Sequence, residues 1–278
     1  MKNVWNLFLP FFVYYVAHSI SHILLPYLAG FTVSAFGGSY AEFMLANAST
    51  VNGLLNAFSL LIGMAAVLPM AKKELLHRKE LMHGKGQIKL NQEDVQADKM
   101  SKKIGNYLIL SILAASLALG MNILFSLSGL VETSAAYQNV ADRQYGVSFA
   151  VGLVIYGILS PIAEEVVFRG LLYNRLKKYF PIGVSIAVCG ILFGFYHGNL
   201  VQGLYGSIMG IAITYIYEVY GTLASAMLFH AVANLSVYVV GYNPENSIGM
   251  VSWGYCIGLL AIAGVILGWM IVKQKKKR

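Results

Sequence analysis

Residues 147–168 read VSFAVGLVIYGILSPIAEEVVF. Crossing ~30 Å of hydrocarbon takes roughly 20 residues in a helix. A barrel strand would alternate apolar and polar residues with period two, and this run does not. It therefore reads as a transmembrane helix that ends on two adjacent carboxylates, Glu164 and Glu165. Similar runs fall at 5–28, 44–70, 106–128, 182–199, 203–219, 222–240 and 249–272. The runs at 182–199, 203–219 and 222–240 are the short, glycine-containing ones. Hydrophobic residues make up 58% of the 278 and charged residues only 12%, about half the charge of a soluble domain. The expected fold class is all-α: a polytopic membrane protein of about eight transmembrane helices. It is expected to form a single membrane domain, 1–278, with scaffold helices and a loop, 72–103, in residues 1–128. Residues 145–240 hold the core helices that carry nearly every polar group a bilayer should refuse.

The net charge of +8 raises the question of a nucleic-acid partner, and its distribution answers it. Of the 20 Lys and Arg, nine lie in 72–103, four in 169–178, five in 273–278, and one is Lys2. Eight spans with both termini cytoplasmic put all of these on or near the cytoplasmic side, leaving only Arg143 outside, as the positive-inside rule requires. The basic tail then serves topology and attraction to anionic lipid, and no nucleic-acid partner is expected. The first apolar run is too long for a signal-peptide core and reads as a retained span. Segments 30–43 and 129–146 read as short external loops, and Trp5, Tyr107, Tyr145, Tyr242 and Trp253 as interfacial anchors. Cys189 and Cys256 sit in apolar spans and form no metal or disulfide pattern. The expected location is the plasma membrane, in multi-pass form.

Ionisable groups inside a membrane call for a function or a partner, and three clusters qualify. In Glu164-Glu165-Val166-Val167-Phe168-Arg169, Glu165 and Arg169 are i,i+4 neighbours and can pair. Glu164 lies about 100° round the helix and is freer to act as a base. The plainer reading is a pair of interfacial carboxylates closing the span. In Phe193-Gly194-Phe195-Tyr196-His197 and His230-Ala231-Val232-Ala233-Asn234, the outer residues again share a face. Either motif alone is commonly just an interhelical hydrogen bond. Depths counted at 1.5 Å per residue overlap in the cytoplasmic half, with His197 fitting least comfortably.

Taken in order, Glu164-Glu165-xxx-Arg169, Phe193-xxx-His197 and His230-xxx-Asn234 resemble the three motifs of the CAAX protease and bacteriocin-processing (CPBP, or Abi) intramembrane proteases. The resemblance covers about residues 145–240. It implies an endopeptidase acting on a membrane-associated peptide or protein. Glu164 and His197 would activate water, His230 and Asn234 would bind the oxyanion, and Glu165 and Arg169 would brace the helix presenting Glu164. Substrates implied by the family range from prenylated C-terminal tripeptides to bacteriocin or pheromone precursors, with self-immunity as a further role. The site is expected to face the cytoplasmic half.

Metal dependence is left open by the resemblance, since such proteins have been described both as metalloproteases and as glutamate-dependent. No cofactor is expected. If zinc takes part, Glu164, His197 and His230 are its ligands, although no HExxH helix is present. A non-enzymatic immunity or interaction protein is the main rival reading. A proton-coupled transporter is the weaker one, because no inverted repeat of broken helices is visible. His18, Ser19, Ser21 and His22 are expected to serve helix packing or tilt, with lining of a cavity as the lesser alternative. Glu218 reads as an interfacial residue, and His77 and His83 as solvated. Gly194, Gly198, Gly203, Gly206 and Gly210 point to close helix approach or a broken helix.

Overall fold

The computed structural model describes residues 2–83, 94–243, 249 and 251–275. The middle of the loop 72–103 and the last three basic residues of the tail lie outside the described residues. All regular structure among the described residues is helical. The helices are α1 (Lys2–Phe36), α2 (Gly38–Ala46), α3 (Ala48–His83), α4 (Asp94–Leu127), α5 (Leu130–Thr133) and α6 (Ala135–Tyr145). They continue with α7 (Phe149–Leu176), α8 (Ile182–Tyr196), α9 (Leu200–Tyr220), α10 (Leu223–Tyr242) and α11 (Trp253–Lys275).

Seven of these are long and apolar enough to cross a membrane, where the sequence suggested eight. The difference is α8, which has 15 residues and so reaches only about 22 Å at 1.5 Å per residue. It stops because the chain reverses at His197-Gly198-Asn199. Gly198 takes a left-handed φ of +74°, open to glycine without a Cβ penalty. The Asn199 side chain then caps α9, accepting from the Gln202 N–H at 2.9 Å. The α8–α9 hairpin packs through glycine. A Cβ on Gly190 would come within 2.5 Å of the Ile211 backbone, and one on Gly194 within 2.2 Å of the Gly203 carbonyl.

Two further expectations change. The segments 30–43 and 129–146 are largely helical rather than loops, because α1 runs on to Phe36 and α2, α5 and α6 follow. And α7 does not end near residue 168 but continues to Leu176. The reason is that Arg169 does not reach water. It is fully buried, with its charge paired inside the bundle. The Glu164-Glu165 pair thus lies inside a long span instead of at its end.

α7 is the central helix, packed against α1, α3, α8 and α10, while α4 pairs with α10 and α11. It contains two π-helical stretches, Ile155–Leu159 and Val166–Tyr173, a distortion that often accompanies functional sites. Large apolar side chains such as Phe31, Phe58, Leu108, Ile257 and Val265 stay exposed on the outside, which suits a lipid-facing surface.

One end of the bundle collects the basic groups of 72–78, 175–178 and 273–275. Glu218 is no lone interfacial residue there. It accepts from Arg78 at 3.0 Å and Lys177 at 2.8 Å, while Glu74 accepts from Arg175 at 3.2 Å and Lys178 at 2.6 Å. Arg175 also donates to the Asn6 carbonyl, so α1, α3, α7 and α9 are clamped together at this end.

Candidate active site

Arg169, on the second π stretch, is held from three sides. Its guanidinium donates to Glu165 Oε1 at 2.7 Å, to Thr214 Oγ1 at 3.2 Å and to the Gly210 carbonyl at 2.9 Å. It also stacks over the Phe193 ring, 4.6 Å from the centroid. A buried guanidinium is tolerated only when paired and hydrogen-bonded in this way. Glu165 shares the same oxygen with a second donor, His230 Nδ1, at 2.8 Å. An ionised carboxylate can only accept, so the Nδ1 proton belongs to His230. The first and third motifs therefore meet at one carboxylate oxygen.

Glu164 points the other way. Its Oε2 lies 3.7 Å from His230 Nε2, and its side chain lines a cavity of about 360 Å³ together with His197, His230 and Asn234. Glu164 is the one carboxylate among the described residues of that wall, and no Lys or Arg joins it. The divergence of two adjacent acids follows from their helical offset, one turned to Arg169 and the other to the cavity.

His197 reaches the cavity because α8 is short. The last turn tightens, with the His197 N–H bonding the Gly194 carbonyl at 3.1 Å. That leaves the Phe193 carbonyl without its usual helical donor. The His197 ring supplies one, with Nδ1 at 2.9 Å. A carbonyl only accepts, so Nδ1 carries the proton and, in the neutral ring, Nε2 keeps a free lone pair. Phe193 sits at the hub of the cluster. Its ring meets His197 edge-on at 5.0 Å and His230 at 5.5 Å.

Asn234 is fixed by a defect in α7. In the first π stretch the Ser160 N–H bonds the Ile155 carbonyl, so in that register Tyr156 would be served by residue 161. That residue is Pro161, which has no N–H. Asn234 Nδ2 fills the vacancy, donating to the Tyr156 carbonyl at 3.0 Å. The acceptor fixes the amide orientation, and the second N–H of Asn234 stays available.

The structure thus brings Glu164, His197, His230 and Asn234 to one cavity, and sets Glu165 and Arg169 behind it. Sequence reasoning missed the contribution of the first half of the chain. His18 takes the lesser of its two expected roles and lines the cavity, stacked on Tyr14 at 5.8 Å, while Asn56 and Asn122, which had not been singled out, line it as well. The available signal was an amide within each of two apolar spans, Asn56 in 44–70 and Asn122 in 106–128. Tyr145 does more than the anchoring expected of it. It packs on Tyr238 and walls the cavity. Among the described residues, no three His, Cys, Asp or Glu side chains converge as a metal-binding group.

Residues 146–236 match the family model described as Rce1-like, type II CAAX prenyl endopeptidase Rce1-like. No curated protein and no solved structure matches the chain. The matched segment holds all three motifs, and the match agrees with the resemblance that those motifs carry to the CAAX protease and bacteriocin-processing family.

Proposed function

We propose that the chain is an intramembrane endopeptidase in which Glu164, assisted by His197, activates water against a peptide bond. The observation that carries this reading is the isolation of Glu164. Among the described residues it is the lone carboxylate on a cavity wall that also presents the imidazoles of His197 and His230 and the amide of Asn234. Glu164 takes a proton from water, whose oxygen attacks the scissile carbonyl. His197 Nε2 accepts a hydrogen bond from the same water and orients it. The oxyanion is met by the second N–H of Asn234 and by His230 Nε2, which donates when the ring is cationic. Glu164 then returns the proton to the leaving amine as the C–N bond breaks. Glu165 and Arg169 touch no reacting atom in this scheme. Glu165 holds the Nδ1 proton of His230 and so fixes which way that ring faces, as the partner of a catalytic imidazole does.

The reaction is read as metal-independent because the sequence has no HExxH helix; if zinc takes part, Glu164, His197 and His230, which line the same cavity, would hold it. The test is cleavage of a quenched-fluorescent peptide library by detergent-purified protein. Wild type, Glu164→Gln and His197→Ala are compared, each with and without a chelator. Wild-type cleavage that survives the chelator and disappears in both variants supports the proposal. Loss on chelation with recovery on adding zinc would reassign the three side chains as ligands. Equal cleavage by wild type and Glu164→Gln would remove Glu164 from the chemistry.

A further inference from the structure

The cavity has a direction. From Glu164 it extends along α10 and beneath α6, where Tyr137, Val140, Ala141 and Gln144 form its roof. These positions, at i, i+3, i+4 and i+7, are one face of a helix. The opposite face of α6, with Gln138, Asn139, Asp142 and Arg143, is exposed. In the other direction the space is closed, because Phe168, Arg169, Tyr173 and Phe193 are buried and packed between Glu164 and the basic end. Depth agrees. Glu164 stands about 19 Å along α7 from Lys177 at 1.5 Å per residue, past the shallow layer at the basic end.

The two ends of the bundle differ sharply in charge. The Lys and Arg of 72–78, 175–178 and 273–275 stand at one end, opposed by Glu74 and Glu218. The α6 end carries Arg143 against Glu42, Glu132 and Asp142. Such a bias assigns the basic end to the cytoplasm.

Taking the cavity as the substrate site proposed above, we infer that the substrate reaches Glu164 from the non-cytoplasmic face, beneath α6. This reverses the expectation that the site faces the cytoplasmic half. The substrate class changes with it, from a C-terminal tail displayed in the cytoplasm to an exported peptide or the outward-facing segment of a membrane protein. The wall between Glu164 and the roof offers amides and phenols (Asn122, Tyr137, Gln144, Tyr145, Gln202, Tyr205) and, among the described residues, no Lys, Arg, Asp or Glu. The segment lying there is therefore uncharged. Its length follows from α10. Gly241 abuts the Tyr145 ring at the roof, and the eleven-residue step from His230 to Gly241 spans about 16 Å. An extended peptide at about 3.3 Å per residue covers that with roughly five residues.

The test needs no turnover, so it stands apart from whether the protein is a peptidase. Asn139→Cys on the outer face of α6, Gln144→Cys on its cavity face and Lys275→Cys at the basic end are exposed to a membrane-impermeant maleimide. Labelling is done in intact cells and in inside-out vesicles. Wild type is the background, since Cys189 and Cys256 are buried. The expected result is labelling of N139C and Q144C in intact cells, and of K275C only in inside-out vesicles. Labelling of N139C only in inside-out vesicles would overturn the assigned side. Labelling of N139C but not Q144C in intact cells would overturn access beneath α6.

Discussion

Asn234 donates to the Tyr156 carbonyl at 3.0 Å, in the place of the backbone N–H that Pro161 lacks. One side chain therefore repairs α7 and, on the proposed mechanism, serves the oxyanion with its other N–H. The two roles separate by mutation. Asn234→Ala is expected to lower kcat by about 10²–10³, the usual loss for one oxyanion donor. It should also lower the melting temperature, because the half-buried Tyr156 carbonyl loses its donor, at up to about 1–3 kcal/mol were it fully buried. Adding Pro161→Ala restores a backbone donor, so the double variant should regain melting temperature without regaining cleavage. Recovery of both would show that Asn234 only repairs the helix.

Arg169 and His230 converge on a single oxygen of Glu165. Removing one member of a fully buried ion pair leaves an uncompensated charge, at a cost of about 3–5 kcal/mol. Arg169→Ala and Glu165→Ala should therefore lower thermal stability in detergent strongly and reduce the folded yield. Glu165→Gln keeps the shape and an acceptor for His230, so it should sit between these and wild type. A melting temperature unchanged in Arg169→Ala would contradict the bracing role.

The α8–α9 hairpin depends on Gly194, where a Cβ would stand 2.1 Å from Ser207 Oγ and 2.2 Å from the Gly203 carbonyl. Backbone atoms cannot give way as a flexible side-chain tip can, so Gly194→Ala must push α8 off α9. Overpacking of this kind costs about 1–3 kcal/mol. The shift would also carry His197 away from Glu164, so cleavage should fall more than stability. Gly264→Ala, where nothing lies within 4 Å of the new Cβ, is the control and should behave as wild type in both assays.

The helical membrane class was legible because continuous apolar runs admit few other readings. The Glu165–Arg169 pairing was legible because it is local, set by the pitch of one helix. What the sequence hid was non-local. Arg169 looked like the end of a span because the apolar run stops at Phe168, but Thr214 and the Gly210 carbonyl on α9 keep it inside. His197 looked too deep because Glu164 was placed near the end of its span, whereas α7 runs on to Leu176 and sets Glu164 about as deep. The cavity wall contributed by His18, Asn56 and Asn122 depends on which helices touch, and hydropathy carries no such information.

The most direct measurement pairs cleavage with thermal unfolding on the same preparations of wild type, Glu164→Gln and Glu165→Gln. Positioned acid–base groups contribute about 10²–10⁴ in rate. The account predicts that Glu164→Gln melts with wild type and loses cleavage by at least the lower of those factors, while Glu165→Gln melts earlier. A Glu164→Gln protein that is folded and cleaves at the wild-type rate would contradict it.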